Sequence, residues 1–336
     1  MNTPNAWPAW RDLAETGGRI PSFTSLTHRK TGAEVSVALS FSRAVTGDKP
    51  TDEMAEFSMS PSGVECLVSR GFNDILMARL EATFSFLIPF LERDDLDGAF
   101  AISLGDEGVQ RTLSFSACWP DFLVPDPDFL RTRGYEADRR VFEAAPPWED
   151  RADRLYWRGT DTGVFRYRRI EDAPRVAVCR IGRENPHLIN AAITAIQHAD
   201  AAKRVYYLRN GYLGPRAPQH DILKYRYQID IDGNASAWSG LFLKLLSGST
   251  VLKVGSELNW RQWYYADLVP WTHYVPVLPD LSDLLEKLNL LRDKPLLAKR
   301  IGEAGRAFAL ERTMHSELRN AEQTLERLVI LNRRML

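Results

Sequence analysis

The sequence is poor in cysteine. Among 336 residues there are three, Cys66, Cys118 and Cys179. They are odd in number and far apart, which excludes a disulfide framework and a cysteine-based zinc spacing, and fits the reduced thiols of a cytoplasm. Long apolar runs are also missing: the longest, near Phe84 to Leu91, is too short to cross a bilayer. The opening residues, MNTPNAWPAWRDLAETGG, lack the basic segment and apolar run of a secretory signal. The expectation is a cytoplasmic protein that touches a membrane, where it does so, only peripherally at the inner face. Charge of one sign is absent too. Forty-three basic and 44 acidic residues leave a formal charge of -1, so there is no electrostatic case for a nucleic-acid partner. No GxSxG or HExxH pattern occurs, which removes the hydrolase mechanisms that depend on them. No internal repeat or low-complexity tract is evident, and the first ninety or so residues carry no motif.

What is present is a length and a pattern. The chain exceeds the usual size of one domain, so two are expected. Strand-like and helix-like segments alternate, which argues for an α/β architecture. AEVSVALSF, AFAISLGD and RTLSFSACW read as strands and Asp74 to Glu92 as a helix. The polar, proline-bearing stretch VPDPDFLRTRGYEADRRVFEAAPPWEDRADR predicts a boundary, giving domains at 1–145 and 146–336. In the second, LYWRG, RVAVCRI, YRYQIDID, STVLKV and HYVPV read as strands. NPHLINAAITAIQHA reads as a helix, and further helices follow from Leu281.

The richest stretch runs from Lys224 to Val277. In KYRYQIDIDGN, Tyr225, Tyr227, Ile229 and Ile231 alternate with polar residues as in a strand, which Asp232, Gly233 and Asn234 then break. Trp238, Leu241, Phe242 and Leu245 recur at the spacing of one helix face, with Ser236 as the expected N-cap and Gly248 as the terminator. A strand that turns through glycine into a helix N-terminus offers free backbone N–H groups to an anion, as phosphate-binding α/β folds do.

These residues, KYRYQIDIDGN, SGLFLKLLSGSTVLKV, WYYADLVPWTHYVPV and DLSDL, together with an upstream block YWRGTDTGVFR at Tyr156 to Arg166, resemble the signature of glycosyltransferase family 90. The resemblance extends from about Asp97 to the C-terminus. That family includes protein O-glucosyltransferases, capsule-associated xylosyltransferases and bacterial lipopolysaccharide-modifying proteins. It implies a GT-B fold, with two Rossmann-like domains facing across a cleft and a helical C-terminus. It also implies an inverting, metal-independent transfer of glucose or xylose from UDP-glucose or UDP-xylose, the UDP-sugar being a donor substrate and no cofactor being needed. The implied acceptor is a hydroxyl of a surface glycan, a lipid-linked glycan or a protein, in a bacterial setting such as lipopolysaccharide biosynthesis.

Residue roles follow from the same resemblance. After the arginine-glycine pair Arg158 and Gly159, Thr160 and Arg166 match the positions that contact the donor diphosphate, and an arginine fork suits a diphosphate. Asp232, Gly233, Ala237, Trp238 and Ser239 form the turn and helix entry of the nucleotide-sugar site. Eukaryotic members carry a second arginine on that helix, whereas this chain has none between Arg226 and Arg261. The leaving charge then falls to Arg166, to backbone N–H groups near Ala237 to Ser239, and to Lys244. The catalytic base is expected at Asp106, at the end of a strand shortly before LSFS, with Glu107 and Asp121 as substitutes.

Each of these residues has a plainer alternative. Lys244 fits the polar face of an amphipathic helix, and Asp106 followed by Glu-Gly fits a turn. Asp95/Asp97, Asp126/Asp128 and Asp230/Asp232 have the Asp-x-Asp form that can hold a cation, though 44 acidic residues produce such spacings by chance. His273 and most of Trp260, Trp263, Tyr264, Tyr265 and Trp271 read as core, with stacking on a uracil or sugar as the other option. Two competing functions stand beside the transferase: a sugar-nucleotide-binding protein without transfer, and a structural subunit of a glycan-assembly complex.

Overall fold

The computed structural model describes residues 20–27, 34–43, 53–60, 63–68, 73–91, 97–119 and 121–334. The chain divides into two compact units, one running to Arg131 and regaining the chain at Met314, the other spanning Thr132–Thr313. The division thus falls ahead of the expected 145/146, and the C-terminal helix belongs with the first unit. The polar stretch that predicted the boundary is itself largely helical, with Glu136–Glu143 amphipathic and Phe142 buried.

The first unit holds a mixed sheet of β1 (Ile20–Thr27), β2 (Glu34–Arg43), β3 (Met54–Ser60), β4 (Gly63–Val68), β5 (Gly98–Ser103) and β6 (Leu113–Ser114), in the order β1-β2-β4-β3-β5-β6. β1/β2, β4/β3 and β3/β5 are antiparallel, while β2/β4 and β5/β6 are parallel. Helix α1 (Asp74–Leu91) starts where the Asn73 carboxamide oxygen accepts from the N–H groups of Ile75 and Leu76. Its Leu76, Leu80, Thr83 and Leu87 fall on one buried face at helical spacing. The C-terminal helix, Met314–Arg333, packs on α1 and β5.

The second unit is a doubly wound layer. Strands β7 (Ala152–Thr160), β8 (Ile189–Ala195), β9 (Tyr225–Asp230), β10 (Thr250–Val254) and β11 (Val275–Val277) are all parallel, in the order β11-β10-β9-β7-β8. Helices cover such a sheet on both faces, so its central strands are buried almost continuously: Tyr227, Ile229, Val251 and Leu252 are fully enclosed. Two segments exchange types relative to the sequence expectation. RVAVCRI lies in helix Pro174–Glu184, and NAAITA is the edge strand β8. Pro174 at the first turn fixes a helical φ, and Val176, Ala177, Val178, Cys179 and Ile181 form a wide buried stripe, so packing overrides their β-branched bias.

From β7 the chain passes to β8 on one side and then to β9 on the other. This reversal opens a crevice beyond the C-terminal ends of β7 and β9, the place where open parallel sheets bind ligands. Among the described residues the last register pair between these strands is Tyr156 with Gln228, after which they separate.

Candidate functional site

A recess occupies that crevice. It is walled by the turn after β7, the turn after β9 and the segment after β10, and Arg166, Tyr167, Arg175, Asp232, Glu257 and Trp260 face it. All belong to the second unit.

Glycine shapes the meeting of the two turns. Gly163 has φ +82°, and a Cβ there would lie 2.4 Å from the Gly233 carbonyl oxygen. A Cβ on Gly233 would lie 2.5 Å from Thr162 Oγ1. Gly163 has no room for a side chain because it meets the Gly233 backbone in a left-handed conformation, and Gly233 has none because the Thr162 and Arg175 side chains close over it. The Gly163 N–H donates to Asn234 Oδ1 at 3.0 Å, and Arg166 Nη1 donates to the Gly233 carbonyl at 3.0 Å. Asp161, fully buried, anchors the first turn by accepting from the Gln197 N–H and the Tyr207 hydroxyl. Arg166 also lies 5.5 Å from the centre of the Trp260 ring, so its guanidinium is held between an aromatic face and a backbone carbonyl.

Asp232 is the anomaly. Both carboxylate oxygens are enclosed, and no side chain or backbone group makes a well-formed hydrogen bond to either. Burial pushes its carboxyl above the ordinary range, while the Lys253 charge and Ser256 pull the other way. A buried acceptor without a donor costs stability, and such groups point to a ligand that supplies the donor. Asp230, two residues earlier, is different. It is fully buried and receives Lys244 Nζ at 2.8 Å and Lys253 Nζ at 3.5 Å. Burial alone would raise its carboxyl, but the two lysines hold it below the ordinary value. The pair Asp230/Asp232 therefore divides into a lysine-bound group and one that lines the recess. Among the described residues no group of three or more His, Cys, Asp or Glu could hold a metal ion. Asp126 caps the N–H groups of Asp128 and Phe129. Asp95 lies outside the described residues.

The remaining expected residues have other surroundings. Gly159 and Thr160 end β7, and the Thr160 carbonyl accepts from Arg175. Arg158 turns away: it donates to the Trp157 and Asn190 carbonyls and to Asn190 Oδ1. Ala237 and Trp238 lead into helix Ser239–Leu246, whose start no side chain caps; Trp238 rather than Ser236 occupies the N-cap position, with φ 47°. Gly248, φ +73°, ends that helix as expected. Of the expected nucleotide-sugar residues Arg166, Asp232 and Gly233 line the recess, whereas Arg158, Gly159, Thr160, Ala237, Trp238, Ser239 and Lys244 do not. His273 is structural: its Nδ1 accepts from the Val269 N–H and its ring packs on Phe308. Trp263 and Tyr264 pack with Phe242. Asp106 follows β5 in the first unit, where Arg79 Nη2 of α1 donates to its Oδ1 at 3.0 Å. The Glu107 carbonyl accepts from Ser103 Oγ, and Asp121 is exposed.

Sequence inspection missed three residues. Arg175 sits in a segment that reads as a strand, so nothing placed it at the sheet's C-terminal edge. Lys253 ends a strand pattern, and its 3.5 Å contact with Asp230 arises only from strand pairing. Glu257 accepts from the Tyr167 hydroxyl at 3.2 Å, and burial together with the Glu257 charge pushes that phenol up to about 12.

The profile described as "Glycosyl transferase family 90" matches residues 131–319, more than half of the chain. Protein O-glucosyltransferase 2 of Danio rerio is 33% identical over 164 residues, covering 49% of this chain and 30% of that protein. Protein O-glucosyltransferase 3 of Homo sapiens is 32% identical over 166 residues, covering 49% and 29%. The match thus spans about a third of the length of these relatives. Among solved structures, Anabaena HepE in complex with UDP and glucose shares 10% identity and a TM-score of 0.37, over 57% of this chain and 52% of that one. The matched stretch contains the turn after β7, the Asp232–Gly233 turn and the whole recess. The chain belongs to glycosyl transferase family 90.

Proposed function

We propose that the recess binds a UDP-sugar and that the protein transfers the sugar to an acceptor hydroxyl. The observation that carries this proposal is the meeting, at the switch point of a parallel sheet, of an arginine fork with a buried carboxylate to which no well-formed hydrogen bond is made. The two groups select opposite chemistries. Arg166 suits a diphosphate oxygen, and Asp232 accepts from a hydroxyl of the ribose or of the sugar. Family membership supports sugar transfer as the reaction.

In the proposed reaction Asp106 takes the proton of the acceptor hydroxyl as its oxygen attacks C1. The C1–O bond to the diphosphate breaks, and UDP leaves with the configuration at C1 inverted. Arg79 holds the Asp106 carboxylate through the 3.0 Å bond. Arg166 and neighbouring backbone N–H groups carry the leaving charge, which in other enzymes a cation carries. Glucose or xylose is the proposed sugar. A glycan, lipid-linked or protein hydroxyl is the proposed acceptor, with action at the inner face of a membrane; among the described residues no helix is long and apolar enough to cross one.

A thermal-shift screen of UDP, UDP-glucose, UDP-xylose and other nucleotide sugars tests the binding half. A ligand bound at a hundred times its Kd stabilises the native state by about 2.7 kcal/mol, a shift that is readily seen. No shift with any nucleotide at millimolar concentration sinks the proposal. Binding without turnover in the presence of acceptor would instead favour a sugar-nucleotide-binding protein.

A further inference from the structure

Where β7 and β9 part beyond Tyr156 and Gln228, their carbonyls lose the partners that a continuous ladder would give them. One side chain replaces those partners. Arg175, in the first turn of helix Pro174–Glu184, donates from Nη1 to the Thr160 carbonyl at 2.9 Å and to Thr162 Oγ1 at 2.6 Å, on the β7 side. It donates from Nε to the Asp232 carbonyl at 2.8 Å and from Nη2 to the Ile231 carbonyl at 2.9 Å, on the β9 side. Its guanidinium therefore spans the opening with two bonds to each strand end, and it faces the recess. A planar fork with five fixed donors can do this; a lysine ammonium, with three donors at one point, cannot reach both sides in the same geometry.

We propose that Arg175 is the positioning residue of the recess, fixing the width of the switch-point crevice and so the placement of Arg166 and Asp232. The linkage is short in both directions. On the β7 side the pinned atoms, Thr160 O and Thr162 Oγ1, immediately precede Gly163 and the turn that carries Arg166. On the β9 side the Asp232 carbonyl is pinned next to the buried Asp232 carboxylate and next to Gly233, whose carbonyl receives Arg166. The Gly163–Gly233 approach leaves no slack between the turns, so a change at Arg175 is passed to Arg166 rather than absorbed. Arg175 touches no ligand in this role. Four of its five N–H groups are spent on the protein, and its charge is balanced by the surrounding Asp230, Asp232 and Asp161.

The inference rests on UDP binding in the recess, and the test separates the two. UDP affinity is measured by titration calorimetry for the unaltered protein, Arg175→Lys, Arg166→Ala and the double variant, with melting temperatures recorded for each. Arg175→Lys should weaken UDP at least tenfold in the unaltered background and by a clearly smaller factor when Arg166 is already alanine, where only the part that acts through Asp232 remains. Residues that act through one another give such non-additive effects, whereas general loosening of the fold gives additive ones. Additive losses, or an Arg175→Lys affinity within twofold of the unaltered protein, overturn the role of Arg175 and leave the UDP site standing. Absence of UDP binding in the unaltered protein overturns the site itself. If Arg175→Lys does not fold, Thr162→Val removes one of the four bonds with the guanidinium in place. It should show the same dependence on Arg166 with a smaller loss, and an unchanged affinity would count against the proposal.

Discussion

Arg166→Ala is the sharpest perturbation of the recess. In the native protein the guanidinium donates to the Gly233 carbonyl at 3.0 Å and rests near the Trp260 ring, so its position is fixed from two sides before any ligand arrives. The diphosphate then receives a fork whose ordering cost is already met by the fold. A hydrogen bond to a charged group is worth about 1.5 to 3 kcal/mol, so deleting the side chain should weaken UDP by about 10- to 150-fold. Arg166→Lys keeps the charge but loses the fork and the carbonyl bond, and should fall between the two. The control is uridine, which has no phosphate and should bind both variants as it binds the unaltered protein. Titration calorimetry with UDP and uridine gives all the numbers. UDP affinity within twofold in a folded Arg166→Ala protein, or an equal loss for uridine, refutes the assignment of Arg166 to the diphosphate.

Asp232→Asn should weaken UDP-sugar binding at least tenfold, since a charge-assisted acceptor is replaced by a neutral amide. Its effect on stability has the opposite sign. The folded carboxyl has a pKa above its unfolded value, so the native state holds the extra proton between the two, and stability falls as pH rises through that window. The Asn variant escapes this loss and should melt at the same or a higher temperature at neutral pH; a clear drop in melting temperature would show that Asp232 is structural. Asp106→Asn should lower turnover by roughly 10² to 10⁴-fold with UDP affinity unchanged, and near-normal turnover would move the base to Glu107 or Asp121. Transfer should survive excess EDTA, because arginine and backbone N–H groups supply the positive charge; loss on chelation with recovery on added manganese would redirect attention to Asp230 and Asp232.

Much of the second unit was legible in the sequence because its signals are local. Alternation in YRYQIDID, the apolar face of SGLFLKLL and the terminating Gly248 all report on neighbouring residues. So did the turn block that places Arg166 beside Gly233, which carried a motif resemblance as well. The exchange of type between RVAVCRI and NAAITA was not legible. Valines favour strands and alanines favour helices, and only the tertiary packing of a wide helical stripe and an edge strand reverses both tendencies. Arg175 was hidden by the same exchange. Lys244 was seen as a helix cation, but its partner Asp230 lies on a neighbouring strand and could not be read from spacing. The direction of Arg158 was equally hidden, since it depends on Asn190 of the adjacent strand. Asp106 lacks an arginine beside it in sequence, yet Arg79 reaches it from α1, a contact between residues 27 positions apart.

If a UDP-sugar gives up its sugar through this recess, transfer to an acceptor must depend on Arg166. The protein is incubated with UDP-[¹⁴C]glucose or UDP-[¹⁴C]xylose and a cell-envelope extract as acceptor, with released UDP and acceptor-bound label followed together, alongside Arg166→Ala. One of the two donors should yield UDP and acceptor-bound label in equal amounts, and Arg166→Ala should depress both in parallel. Label transfer that is indifferent to Arg166→Ala, or no release of UDP from either sugar nucleotide, would rule out transfer through the recess.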